Sequence, residues 1–374
     1  MNLNASISLN DHWAATGISR RTLLARLMTG LAFLGGMDLC LARPPEDGKT
    51  VFSSEDEAFL NELERRCFLY FQECADPSTG LVKDRSAADR RDDREAASTA
   101  ATGFGLTALC IATQRAWLKP DEARSRVHTT LDFLLHRMPH EHGFYYHFID
   151  WRDGSRVWKS EVSSIDTALL LCGVLTCRQQ FAGDAELRGM ADQLYDRVDW
   201  SWMMNGGAML SHGWKPESGF LPYRWDTYCE HMVLYLLAMG SRSHPIAPGA
   251  WEAWSRPEIE YAGQRFISPR APLFVHQYSH AWVDFRNLAD AHADYFENSV
   301  KATRAHRQFC MDLHPRFSHF TGDLWGVTAS DSARGYVAWG GPPSMGSLDG
   351  TVVPAQPGVR CRSCRRKAFA VFVR

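Results

Sequence analysis

Two acids four residues apart, Asp226 and Glu230, lie in a stretch dense with aromatics, Gly219-Phe-Leu-Pro-Tyr-Arg-Trp-Asp-Thr-Tyr-Cys-Glu230. The almost wholly apolar run from His231 to Gly240 follows at once. The spacing predicts a helix over 226–240 that Asp226 caps and Glu230 joins one turn in. Residues four apart share a helix face, so both carboxyls would leave the same end. Tyr223, Trp225 and Tyr228 supply flat apolar walls of the kind sugar rings favour, which suggests the rim of a carbohydrate site. Cleaving a glycosidic bond needs two carboxyl groups flanking it, one of them protonated at working pH. Burial among aromatics disfavours the charged form and holds that proton in place. Glu230 is positioned for this role; the same residue could instead pair with Arg224 or cap the chain.

A second acidic pair is Glu161 and Asp166. Glu161 opens a predicted helix after Trp158-Lys-Ser160, and Asp166 falls inside an apolar run. An unpaired charge there would be costly, so Asp166 is either neutralised by a partner or sits at the bottom of a wet pocket. His276 and His280 have a metal-compatible spacing. No third ligand lies close by, and pocket-lining hydrogen-bond donors are the better use. His140, His142 and His147 form a loose cluster expected on a loop surface. Cys361 and Cys364 have a CxxC spacing with no second pair. Neither a metal nor a cofactor is expected.

Helices must position these groups. Ser53 or Ser54, followed by Glu55, Asp56 and Glu57, opens one that runs to about Cys74, with acids suited to its dipole. A small-residue helix over 96–112 is followed by an amphipathic one from Pro120 to His136, with proline in its first turn. An aromatic loop over 143–151 with a turn at Asp153-Gly154 predicts a hairpin. The apolar helix 161–175 and its amphipathic partner, Asp184 to Val198, repeat the pattern. A second hairpin is expected over 209–225 around Pro216 to Gly219. Further helices are expected over 280–288 and 290–312. A helix apolar all round is buried and an amphipathic one lies outside. The alternation therefore predicts an all-α toroid of inner and outer helices, with β-hairpin loops at one face. That face would gather Asp84, Asp150, Glu161, Asp226 and Glu230.

The 374 residues suit one barrel-type domain, and a hydrophobic fraction of 45% allows a large core. A net charge of -2 without a basic stripe argues against a nucleic-acid partner. Thirteen tryptophans, many in loops beside acids, can be core filler or sugar-stacking platforms. Arg20-Arg21 before the short apolar stretch 27–36, with small residues near Cys40, has the form of a twin-arginine export signal over 1–42. This implies passage through that machinery to the periplasm or the exterior. The apolar part is too short to span a membrane, and 43–54 is a polar linker. Ten cysteines in a chain of this length do not make a disulfide framework. Cys110, Cys172, Cys177 and Cys229 are expected as small buried hydrophobes.

Four segments carry a family resemblance: Trp158-Lys-Ser-Glu-Val-Ser-Ser-Ile-Asp-Thr-Ala-Leu-Leu170, Gly219 to Glu230, Phe274-Val-His-Gln-Tyr-Ser-His-Ala-Trp-Val-Asp-Phe-Arg286 and Trp325-Gly-Val-Thr-Ala-Ser-Asp331. Together with Asp294-Tyr-Phe-Glu-Asn-Ser299 they make residues 55–354 resemble the bacterial glucoamylase-like domain. That group includes the endo-β-1,2-glucanases of glycoside hydrolase family 144 and a domain of the cyclic β-1,2-glucan synthases. The resemblance implies an (α/α)6 toroid and hydrolysis of β-1,2-glucan with inversion. It implies Glu230 as general acid and Glu161 as a catalytic-site residue near the scissile bond. With the loop reading, it marks Asp84 and Arg85, Trp151, Asp166, Tyr223, Arg224, Trp225 and Asp226 as substrate-binding. His276, Tyr278, His280 and Trp282, then Trp325 and Asp331, complete that set.

Family members continue past Pro354 with further helices and a Gly-Ile-Asp-Gln-Gly-type motif whose acid is a candidate base. Here residues 355–374 carry six basic residues and no acid. The expectation is a toroid incomplete at its C-terminus, with a tail foreign to the family and hydrolysis weakened or lost. A glucan-binding protein without catalysis, and a transglycosylase of the cyclising kind, are the alternatives, because a fold does not by itself fix function.

Overall fold

Ser53 caps the first helix, α1 (Ser54–Glu73), by accepting a hydrogen bond from the Asp56 amide at 3.0 Å. The computed structural model describes residues 53–87, 92–322, 324–332, 335–342 and 346–353. The export segment expected over 1–42, nearly all of the linker, and the 355–374 tail with Cys361 and Cys364 lie outside these residues. Strand β1 (Ala96–Ser98) leads into α2 (Thr99–Gln114), and α3 runs from Pro120 to His136, bounds the sequence predicts. Strands β2 (His140–Glu141), β3 (Phe144–Tyr145), β4 (Phe148–Asp150) and β5 (Val162–Ser163) precede α4 (Ser164–Gln180). Next come α5 (Ala185–Asp196), the single turn α6 (Trp200–Met203), and strands β6 (Gly213–Lys215) and β7 (Gly219–Phe220). Helices α7 (Met232–Met239) and α8 (Gly249–Ala253), hairpin β8–β9 (Glu258–Tyr261, Gln264–Ile267), α9 (Tyr295–Asp312) and hairpin β10–β11 (Ser330–Ser332, Gly335–Val337) complete the described residues.

The inner and outer helices differ as the sequence predicts. Twelve of the 17 residues of α4 are buried, Asp166 among them, and α7 is buried along nearly its whole length. By contrast α3 buries a stripe of Ala123, Val127, Leu131 and Leu134, and α5 a stripe of Leu187, Met190, Ala191 and Leu194. Helices α2 and α4 cross almost backbone to backbone. A Cβ at Gly173 would fall 2.1 Å from the Gly103 carbonyl oxygen, and one at Gly103 would fall 2.3 Å from that of Leu169. Only glycine allows this approach, and it draws the N-termini of both helices to the same face.

Four predicted elements are corrected. The aromatic hairpin is built otherwise: β4 pairs with β1, and the turn after it closes only the bridge between Ile149 and Arg156. The second hairpin forms as expected, β6 with β7, but β5 joins it as a third strand. The helix expected over 226–240 begins only at Met232. Its would-be first turn is diverted into other backbone pairings: the Trp225 amide donates to Leu210, that of Tyr228 to Ser255, and that of Ser255 to Asp226. Asp226 therefore caps nothing and does not share a helix face with Glu230. The helices expected over 280–288 and 290–312 reduce to two short 3-10 turns, Leu273–His276 and Ser279–Ala281, and to α9. Asp290 stops the second from starting earlier, because its carboxylate gathers the amides of His292 and Ala293, the Trp251 indole and the Tyr295 hydroxyl.

Replacing Gly173 with alanine sets two effects against each other. Alanine favours the helix by roughly 1 kcal/mol, while forcing atoms into a filled contact costs about 1–3 kcal/mol or more. At 2.1 Å from a backbone oxygen, which cannot swing aside, the clash wins. Gly173→Ala is expected to lower the urea midpoint clearly, whereas alanine at the open Gly189 should hold or raise it.

Candidate active site

Strand pairing brings His147 to the centre of the inner-helix face. Its amide donates to the Glu161 carbonyl at 2.9 Å and its carbonyl accepts from the Thr99 amide at 3.1 Å, so the backbone ties it to the entries of α4 and α2. The ring stacks on Phe148, with centroids 3.8 Å apart. Nδ1 lies 3.0 Å from Glu161 Oε1, and Nε2 lies 3.7 Å from Asp166 Oδ1. Burial alone would strip the imidazole of its proton. The neighbouring charges of Asp166 and Glu161 outweigh it and push the pKa up to about 9. Reciprocally, the hydrogen bond from His147, working against burial, pulls Glu161 down to about 2. The imidazolium is the partner that the apolar surroundings of Asp166 require. Asp166 also accepts from the Ser163 hydroxyl at 2.5 Å, yet burial still raises its carboxyl above the usual aspartate range.

Glu230 is the opposite case. It keeps some accessible surface, but protein encloses it on the remaining sides. This desolvation pushes its carboxyl above the ordinary glutamate range, and the Asp166 charge adds to the rise. The Cys229 thiol donates to Glu230 Oε2 and opposes it. Among the described acids, no cation is placed beside Glu230 as His147 is beside Glu161. Burial pushes the Tyr278 hydroxyl up, and the charges of Glu230, Asp166 and Asp84 add to the rise. Arg85 links Asp84 to hairpin β10–β11, pairing with Asp84 at 2.5 Å and with Asp331, while its guanidinium lies over the Tyr336 ring.

Other expected site residues are distributed differently. Tyr223, Arg224 and Asp226 line a shallow open depression with His212 and Pro222. The depression holds a single exposed acid, Asp226, whereas Glu161 and Asp166 flank His147 elsewhere. Arg224 does not pair with Glu230; its guanidinium donates to the carbonyls of Met204, Met209 and Asn205 and holds their loop. Trp225 is buried, stacks on His212 and donates to the Ser164 hydroxyl at 2.9 Å. Tyr228, expected as a wall, is fully buried against Tyr295. His276 and His280, expected as pocket-lining donors, are buried as well. His276 meets the Tyr228 hydroxyl at 3.1 Å and His280 meets that of Ser299 at 3.0 Å. Burial pulls them to about 3 and about 4, so both imidazoles are neutral.

Trp282 packs on Phe104 and donates to Thr107, and Trp325 belongs to a separate cluster with Phe309 and Trp339. Trp151 lies beneath the Lys83 ammonium at 4.2 Å from its ring centroid, and Asp150 binds the Arg152 amide. The sequence reading missed the place of His147, of Cys229 as a partner of Glu230, and of Tyr336. No local pattern marks His147, because the residues that tie it down, Thr99, Glu161 and Asp166, come from other segments.

The family model described as "Putative glucoamylase" matches residues 222–359. A curated relative, the exo β-1,2-glucooligosaccharide sophorohydrolase (non-reducing end) of Parabacteroides distasonis, is 27% identical over 343 residues, covering 82% of this chain and 47% of its own. The chain thus spans about half the length of that relative. Among solved structures, an endo-β-1,2-glucanase from Chitinophaga pinensis, in complex with sophorotriose and glucose, superposes with a TM-score of 0.72 at 26% identity. It covers 82% of this chain and 78% of its own. A β-1,2-glucanase from Parabacteroides distasonis gives 0.73 at 25% identity over 82% and 48%. These likenesses place the fold among the glucoamylase-like glucanases, in the α/α toroid class.

The His147 cluster predicts a pH-dependent stability. A histidine whose folded pKa is raised from 6.5 to about 9 stabilises fully below 6.5 and loses that contribution as pH rises through 9. Glu161, lowered from 4.5 to about 2, stabilises above 4.5 and loses its contribution as pH falls through 2. The difference in melting temperature between the parent and His147→Gln should be greatest between those windows and close at alkaline pH. A difference that does not change with pH would mean the imidazolium is absent.

Proposed function

We propose that this chain, which carries a glucoamylase-like domain, is a glycoside hydrolase acting on β-1,2-glucan or a related β-glucan by inverting acid/base chemistry. The observation that carries the reading is the contrast between Glu230, whose surroundings favour its protonated form, and Glu161, which His147 holds ionised. Two carboxyl groups pushed apart in this way can divide acid from anionic duties. Glu230 gives its proton to the glycosidic oxygen as the bond breaks. Glu161, so strongly depressed, is a poor proton acceptor and a good electrostatic partner for the positive charge that develops on the sugar. Activation of water on the opposite sugar face then falls to another carboxylate. Asp84 is the one whose charge reaches His147, Asp166 and Tyr278.

The inner and outer helix pairs suit a ring of six, the (α/α)6 toroid. The paired arginines at Arg20 and Arg21 would deliver the folded chain through the twin-arginine machinery to the periplasm or beyond. A secreted reporter fused after residue 42 should lose export when both arginines become lysine.

The decisive variant is Glu230→Gln, assayed on β-1,2-glucan for new reducing ends. Loss of a proton donor typically costs about 10²–10⁴-fold, and binding of the glucan should survive. In the parent, activity should fall at alkaline pH as Glu230 loses its proton, at a pH above the ordinary glutamate value. If the parent binds β-1,2-glucan and releases no reducing ends, the chain is a glucan-binding protein and the hydrolytic reading fails. Products of unchanged total linkage but altered length would identify transglycosylation.

A further inference from the structure

Trp158 is the most exposed of the large apolar side chains described, at 69%. It also sits where the backbone is strained: Trp158 and Lys159 both take positive φ, 54° and 49°. Two consecutive residues with side chains in this region are uncommon, and such strain gathers at ligand sites when the surroundings enforce it. Here they do. The Arg156 guanidinium donates to the Ser160 carbonyl at 2.5 Å and grips Glu217 with two hydrogen bonds. The Ser160 hydroxyl donates to the Phe148 carbonyl at 3.0 Å and accepts from the Phe148 amide at 3.3 Å. The loop is thus pinned at both ends while its indole is left in water, contrary to what apolar surface favours.

The direction of the ring completes the case. Trp158 meets Phe148 edge-on with centroids 5.0 Å apart, and Phe148 stacks on His147, which holds Glu161 and Asp166. A row of three rings therefore leads from the carboxylates out to solvent. Resting on the proposed function, we infer that Trp158 is a sugar-stacking platform at the rim of the cleft, receiving the apolar face of a glucose unit one or two residues from the scissile bond. A pyranose presents C–H groups on its face, and an exposed indole offers the flat apolar surface that stacks against them.

The test uses the full chain with Glu230→Gln, titrated with linear β-1,2-glucan and, as a control, with a β-1,4-glucan, while indole fluorescence and calorimetry are followed. Trp158→Ala in this background is expected to weaken binding roughly tenfold, as for loss of one aromatic anchor, and Trp158→Phe should restore part of it. In the active chain, Trp158→Ala should raise KM for long glucans with kcat little changed. Its circular dichroism and melting temperature should match the parent, since the side chain packs little. If the parent binds β-1,2-glucan and Trp158→Ala binds it equally, the platform is refuted and the proposed function stands. If the parent binds no β-glucan, the proposed function fails and the platform falls with it.

Discussion

Carboxylates repel one another and resist leaving water, so a cleft floor that holds Glu161, Asp166 and Glu230 together is unstable unless some charge answers them. His147 is that charge. Each of its ring nitrogens faces a carboxylate, and its backbone is tied to the entries of α2 and α4. The imidazolium can hold its place only because the two helices arrive at the same face, which the glycine crossing at Gly103 and Gly173 permits. Side-chain electrostatics and helix packing are therefore one constraint. Widening the helix crossing would draw Asp166 away from the residue that neutralises it.

Most of the scaffold was legible because its signals are local. Ser53 and Asp184 each cap a helix by binding amides of its first turn, and Pro120 opens α3. The apolar and amphipathic runs separate inner from outer helices. What could not be seen depends on pairing between distant segments. The spacing of Asp226 and Glu230 suggests one helix face, but the backbone over 225–228 bonds to Leu210 and Ser255, which no window of local sequence contains. His147 looked like loop surface for the same reason, since its partners come from another strand and helix. His276 and His280 share a short segment, yet each turns into the core toward a different hydroxyl.

Rigidity at this face comes from side chains bonded to backbone. Arg224 holds the 204–209 loop through three carbonyls, Trp225 reaches Ser164, and Ser279 links the Glu230 carbonyl to the Val233 amide. Several residues that resemble substrate contacts by type are thereby occupied in shaping the cleft. Long polar and aromatic side chains can serve either purpose, and only the geometry of their partners separates the two. Apart from Phe59 on α1, the described aromatics that remain in water are Trp158 and Tyr223 on loops and Tyr336 on hairpin β10–β11. They are the ones with surface left to offer a ligand.

The contrast between the two glutamates follows from what surrounds each. Glu161 has a cation at hydrogen-bond distance and keeps its charge. Glu230 has protein on most sides and a neighbouring aspartate, opposed by the weak thiol donor of Cys229 and its own backbone amide. Exchanging these surroundings would exchange the roles, because nothing in a glutamate itself decides between acid and anion. Cys229 narrows the range further: by donating to the ionised carboxyl it opposes the rise that burial causes. Burial supplies the upward push on the Glu230 carboxyl, and the thiol acts against it.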